Sequence, residues 1–303
     1  MDGQIAPVLR QLEQVLLDKP HELKLALACL LAGGHLLLED LPGMGKTTLS
    51  TALAKTLGLS HQRVQFTADM LPADLVGVNI FEPKQQQFEF HPGPVFHQIL
   101  LADEINRASP KTQSALLEAM AEQQVSIDGT THPLPQPFFV IATQNPQEQS
   151  GTFPLPESQL DRFMMRLSLG YPGLAAEKQL LQGNHLADQL HQLSPKLTLD
   201  GLLDLQQQCR RVGATDAVLD YLLALVHYSR RSDSQSAPLS PRASRALLAA
   251  AKAWALISGR SYVVPDDIQA VFSAVSEHRL RAGFRSDGTV YAQQILAAVN
   301  PIQ

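Results

Sequence analysis

The chain has 303 residues, enough for about two domains, and its hydrophobic content of 45% is ordinary for a protein with a buried core. Against 29 Asp and Glu it carries 24 Lys and Arg, for a net charge of −5. It has no basic tail or Lys/Arg block, which disfavours strong nonspecific nucleic-acid binding. Its two cysteines, Cys29 and Cys209, lie too far apart for ligand spacing, which disfavours a structural metal site.

The first residues lack a basic segment followed by an apolar signal core. Residues Ile5 to Leu31 have helical periodicity, broken near Lys19-Pro20. The longest apolar region, Leu25 to Leu38, is interrupted by Gly33-Gly34 and His35. It is too short for a membrane span and reads as helix, turn and strand, so a soluble cytoplasmic protein is expected. The strand Leu36–Glu39 leads into the loop Asp40-Leu41-Pro42-Gly43-Met44-Gly45-Lys46-Thr47-Thr48, and a helical pattern runs on to Leu57.

That order suits a phosphate cradle. Glycines let backbone N–H groups curl around an anion, and the helix N-terminus adds partial positive charge. Lys46 is placed to reach β- and γ-phosphates of a nucleotide, and the Thr47 hydroxyl to ligate Mg²⁺. One position departs from the pattern: Asp40 stands where a phosphate loop has its first glycine. Asp tolerates unusual backbone angles, so the turn remains feasible.

Further along, Val64 to Thr67 suggests a second strand. Asn79-Ile80-Phe81 and Phe88-Glu89-Phe90 flank a polar turn and read as a hairpin. Gln98 to Glu104 is an apolar strand ending in two acids. Such ends face the ligand crevice of α/β sheets. Asp103 is expected to hold Mg²⁺ through water, and Glu104 to orient and polarise the attacking water. Ser109-Pro110 opens a helix to about Gln123, Ser as N-cap and Pro at the first position. Val125-Ser126-Ile127 with Asp128-Gly129 predicts a second hairpin. Phe138–Thr143 and Met164–Leu169 complete a set of strands alternating with helices, which argues for a parallel α/β sheet.

After Tyr171-Pro172-Gly173 no convincing strand follows. Helices are predicted over Ala175–Leu193, Leu202–Arg211, Ala217–Arg231, Pro241–Ser258 and Asp266–Arg279, with a polar linker at Ser232 to Pro238. Ser240-Pro241 is a second N-cap pair, and Gly259 fits a C-terminal stop. The expected organisation is an α/β domain over residues 1–172 and an all-helical domain over 173–303.

The segments LEDLPGMGKTT, HPGPVF, LADEINRASPKTQSALLEAM, VIATQNP, FPLPESQLDRF and SPRAS occur here in the order found in the MoxR family of AAA+ ATPases, and the chain resembles that family over almost its whole length. The resemblance implies a core with a five-stranded parallel sheet sandwiched by helices, a small helical lid, and assembly into a ring, usually a hexamer. It implies ATP and Mg²⁺ as ligands and an ATPase activity. Asn145 resembles the polar sensor of the lytic water or γ-phosphate. Arg162 resembles an arginine finger supplied to the neighbouring subunit, and Arg242 a second sensor carried by the lid. Arg107 is a lower-ranked candidate for a subunit boundary. Whether Arg242 serves its own nucleotide or a neighbour's stays open at this level. The hairpin tips, Lys84 to Gln87 and Asp128 to His132, resemble insertions that face a central pore or client. The family implies chaperone-like remodelling or maturation of partner proteins, often with von Willebrand factor A domains. Two other functions share the same loop: a nucleic-acid motor or loader, and a nucleotide-switch scaffold with little hydrolysis, for which Asp40 is the single supporting irregularity.

Overall fold

The computed structural model describes residues 2–145, 151–182, 186–231, 236–281 and 290–301. Helices α1 (Asp2–Val15) and α2 (Pro20–Leu31) precede strand β1 (Leu36–Glu39). Then come α3 (Lys46–Leu57), β2 (His61–Gln65), α4 (Pro72–Val76), the hairpin β3 (Gly77–Glu82) and β4 (Gln87–Pro92), and β5 (Ile99–Asp103). Helix α5 (Pro110–Glu122) leads to a second hairpin, β6 (Gln124–Ile127) and β7 (Thr130–Pro133), followed by β8 (Phe139–Gln144), α6 (Glu157–Leu160) and β9 (Met165–Leu167). The rest is helical: α7 (Leu174–Leu181), α8 (Leu186–Gln192), α9 (Leu199–Arg211), α10 (Asp216–Ser229), α11 (Pro241–Ile257), α12 (Pro265–Leu280) and α13 (Tyr291–Ala298).

Five strands form one parallel sheet in the order β2-β5-β8-β1-β9. Successive side chains on a strand point to opposite faces, and here both faces are covered. Leu36, Leu38, Ile99, Leu101, Phe139 and Ile141 enter the core under α1, α2 and α3. Leu37, Leu100, Ala102, Val140 and Ala142 enter the core shared with α5. This two-sided burial is why these strands read as unbroken apolar runs. The first core does not stop at residue 172: it continues through α2 into α9, α11 and α12. The helical part is therefore packed onto the first face of the α/β part.

Both predicted N-caps form. Ser109 Oγ accepts from Thr112 N, and Ser240 Oγ accepts from Ala243 N at 3.1 Å. Gly259, with φ +78°, follows the end of α11. Three expectations shift. The second strand starts earlier, at His61, because an edge strand half-open to water tolerates His61, Gln62 and Arg63. The predicted helix over Ala175–Leu193 is two helices, α7 and α8, and its residues 183–185 lie outside the described residues, as do residues 232–235 of the polar linker. Helix α13 had no counterpart in the sequence reading.

His35, just before β1, ties the sheet to α5. Its Nδ1 accepts from Val140 N at 3.1 Å and its Nε2 donates to Met120 O at 3.3 Å. These partners define a neutral ring protonated on Nε2. Complete burial holds its pKa down at about 4.

The two hairpins differ in what they leave free. Lys84 to Gln87 at the first turn is exposed, and nearby Phe81 and Phe88 meet edge to face at 5.4 Å while facing solvent. The second hairpin leans on the first. Asn79 Nδ2 donates to Asp128 Oδ2 at 2.7 Å, and the His132 ring stacks on Phe90 at 4.0 Å. Its turn has the positive φ values of a two-residue hairpin loop, +49° at Asp128 and +80° at Gly129. No described helix is long and apolar enough to cross a membrane.

Candidate functional site

Parallel strands bring their C-terminal ends to one edge of the sheet. The loop after β1, the acids ending β5 and Asn145 after β8 therefore meet there, on three adjacent strands. Gly43 and Gly45 have φ of +84° and +89°, a region closed to most side chains. Gly45 is the N-cap of α3, and no side chain caps the first turn. Its N–H groups point out of a loop whose Pro42, Gly43 and Thr47 are exposed, while Leu41, Met44, Gly45 and Thr48 are half-buried. A helix end of this kind binds anions. Lys46 Nζ, at the base of the loop, donates to Asp40 O at 2.8 Å.

Asp40 behaves differently from the glycine it replaces. Its backbone is outside the left-handed region, so no glycine is needed there. Its carboxylate is buried and turned toward the strand end after β9, accepting from Ser168 Oγ at 2.7 Å, from Gly170 N at 3.3 Å and from Leu169 N. Asp40 thus fastens the entrance of the loop, and only its carbonyl reaches the Lys46 side chain. Asp40→Gly, which restores the phosphate-loop pattern, is expected to destabilise the fold by about 3 kcal/mol, because the buried Leu169 N and the two donors beside it lose a charged acceptor. Urea denaturation checks this; unchanged stability would show the anchor to be dispensable.

The acids of β5 are held by residues the sequence reading missed. Thr143 Oγ1 donates to Asp103 Oδ1 at 2.5 Å and accepts from Glu104 N at 2.9 Å. Arg63 reaches Asp103 Oδ2 with Nη2 at 2.7 Å and Nε at 3.2 Å. Glu104 Oε2 accepts from Gln65 Nε2 at 2.7 Å and pairs with Arg107 Nε at 2.8 Å. Arg63 and Gln65 are alternate residues on β2, in register beside β5, with Gln65 opposite Asp103. The period-2 spacing of Arg63 and Gln65 was the available signal. Asn145 is half-buried at the end of β8, and Pro146 lies outside the described residues. The adjoining Gln144 donates to Glu39, which also pairs with Arg166 at 2.6 Å, so the same edge is laced from β8 through β1 to β9.

These groups fit a Mg²⁺-nucleotide. Thr47 and Asp103 supply the hard oxygen donors that Mg²⁺ prefers, next to an uncapped helix N-terminus. Asp103 pairs with Arg63, whose side chain is half-exposed.

Arg162 and Arg242 lie elsewhere. Both line a cavity of about 600 Å³ that Gly33, Gly34, His35 and Met164 also line. Those residues precede β1 and β9, so the cavity opens at the N-terminal ends of these strands. A strand the length of β1 separates that edge from the phosphate loop by roughly 13 Å. Arg210, Arg245, Lys252 and Arg279 face the same cavity, against Asp161 as the described acid. Arg162 Nη1 donates to Leu117 O at 2.7 Å. Asp161, its chain neighbour, pairs instead with Arg279 at 2.7 Å.

Residues 35–165 match the ATPase family associated with various cellular activities (AAA), and residues 227–299 match the AAA lid domain. The chain is 43% identical to an uncharacterized Bacillus subtilis protein, YeaC, over 99% of this chain and 95% of that one. It is 38% identical to Chaperone MoxR1 of Mycobacterium tuberculosis, over 89% of this chain and 74% of the relative, and 33% identical to Protein MoxR of Paracoccus denitrificans, over 89% and 86%. A crystal structure of a Cytophaga hutchinsonii protein superposes with a TM-score of 0.87 at 35% identity, over 99% of this chain and 95% of that one.

Proposed function

This chain belongs to the MoxR family of AAA+ ATPases, and from that premise we propose that it hydrolyses Mg²⁺-ATP at the junctions between identical subunits of a ring. The observation that carries this reading is the separation of its two sets of charges. The phosphate loop and acids occupy one edge of the sheet, and Arg162 and Arg242 line a cavity at the other. Within a single copy, Arg162 and Arg242 lie across the sheet from its own loop. A second copy, docked head to tail, brings Arg162 and Arg242 against the first copy's nucleotide, so both act in trans. Repeated head-to-tail contacts close into a ring, a hexamer in this reading.

Within one junction, Lys46 and the first-turn N–H groups of α3 bind the β- and γ-phosphates. Thr47 and, through water, Asp103 hold Mg²⁺, which when bound draws charge from the phosphate oxygens. Glu104 takes the proton of the attacking water. Asn145 orients that water, and Arg162 and Arg242 stabilise the charge that grows on the transferring group. The name of the M. tuberculosis relative supports a chaperone-like role on protein clients. The exposed Phe81 and Phe88 pair suits an apolar client segment, and a von Willebrand factor A domain partner and a cytoplasmic setting complete the proposal.

Turnover per subunit is expected to rise with protein concentration and to vanish in Lys46→Ala. Steady-state ATPase measured across a dilution series tests this. Activity that stays flat on dilution would refute the shared site.

A further inference from the structure

Arg279, the penultimate residue of α12, has a buried guanidinium with 6% of its side chain exposed. It reads the backbone around Arg162. Its Nε donates to Asp161 Oδ1 at 2.7 Å, and its Nη2 to Asp161 O at 3.2 Å and Phe163 O at 2.8 Å. Its Nη1 donates to Met164 O at 3.1 Å and to Val275 O within its own helix. His278, one residue earlier, adds Nε2 to Phe163 O at 3.2 Å. Asp161 faces the lid twice: Ser240 Oγ donates to its Oδ2 at 3.5 Å, and Ser240 is the N-cap of the helix that begins Pro241-Arg242.

So the carbonyls on both sides of Arg162, and the carboxylate preceding it, are fixed by side chains of the helical part. Burying an ion pair is a poor route to stability, because desolvation offsets most of the attraction. A planar guanidinium with this many acceptors does set geometry, and a lysine cannot reproduce that fork. We propose that Arg279 is a positioning residue, and that the Asp161–Arg279 pair is a clasp that aims Arg162 and couples its position to the lid. A shift of α12 relative to the sheet then moves Arg162 and, through Ser240, the start of the Arg242 helix together. The inference rests on Arg162 acting as the finger.

The test compares wild type, Arg279→Lys, Asp161→Asn, Arg162→Ala and the double variants on the full chain. Arg279→Lys keeps the charge and loses the fork; Asp161→Asn keeps the shape and loses the charge. Each is expected to lower kcat on the order of 100-fold, the cost of a misplacement near 1 Å. KM for ATP is expected to stay within about twofold, since the phosphate loop is untouched. In the Arg162→Ala background, single-turnover hydrolysis with excess protein is expected to change less than about threefold on adding either substitution. Thermal melts identify a variant that fails to fold, and the other then carries the measurement. Wild-type kcat in Arg279→Lys, or losses that multiply with that of Arg162→Ala, would overturn the clasp while leaving the finger intact. Full activity in Arg162→Ala would overturn the finger, and the clasp with it.

Discussion

Arg162→Ala is expected to slow ATP turnover by about 10³–10⁵-fold while leaving ATP binding nearly unchanged. The side chain lies at the far edge of the sheet from its own phosphate loop, so its loss leaves that loop intact. Its charge matters when phosphate charge grows during transfer, where preorganised cations act most strongly. The trans placement has a sharper consequence. Arg162→Ala and Glu104→Gln, each inactive alone, are expected to complement when mixed and allowed to reassemble. At random mixing, roughly a quarter of the junctions of a head-to-tail ring join an intact loop to an intact arginine. Recovered activity near that share of wild type supports the shared site; no recovery, with assembly of mixed rings verified, would show that Arg162 does not work across the junction.

Glu104→Gln is expected to trap bound ATP, with turnover lowered by about 10²–10⁴-fold, the range for loss of a general base. The substitution is nearly isosteric and retains acceptance from Gln65. The ion pair with Arg107 is lost, but both side chains are partly exposed, at 40% and 29%, so little stability goes with it. Glu104 also sits at φ +57° and ψ +49°, a left-handed conformation for a non-glycine residue. Such strain costs on the order of 1–3 kcal/mol and persists where surrounding contacts over-determine it. Here Thr143, Gln65 and Arg107 supply those contacts. Equilibrium binding of ATP with single-turnover hydrolysis separates the two effects; near-normal turnover in Glu104→Gln would remove it as the base.

Asp40 shows how a local pattern and a tertiary contact divide the information. In the sequence it is a missing glycine and the one ground for a scaffold with weak hydrolysis. In the fold its backbone is ordinary and its carboxylate is an acceptor for Ser168, Leu169 and Gly170, about 130 residues away in the chain. The irregularity therefore no longer argues against hydrolysis. The hairpins teach the converse. Their turns were legible from Asp128-Gly129 and the polar run at Lys84, but the docking of the second hairpin through His132 on Phe90 was not.

By itself the sequence determined what depends on neighbours along the chain. Buried parallel strands read as apolar runs, N-caps as Ser-Pro pairs, and the phosphate loop as glycines before Lys46-Thr47, because backbone geometry and desolvation act residue by residue. It did not reveal the edge strand's polar start, where Gln62 and Arg63 are exposed on an open edge. Nor did it reveal the partners of the acids: Arg63 and Thr143 each lie 40 residues from Asp103 in the chain. Only the tertiary structure decided that Arg162 and Arg242 share a cavity on the edge opposite the loop, and that Arg279, 118 residues from Asp161, bonds the backbone on both sides of Arg162. Strand order and helix packing fix which distant side chains meet, and no local period or motif carries that order.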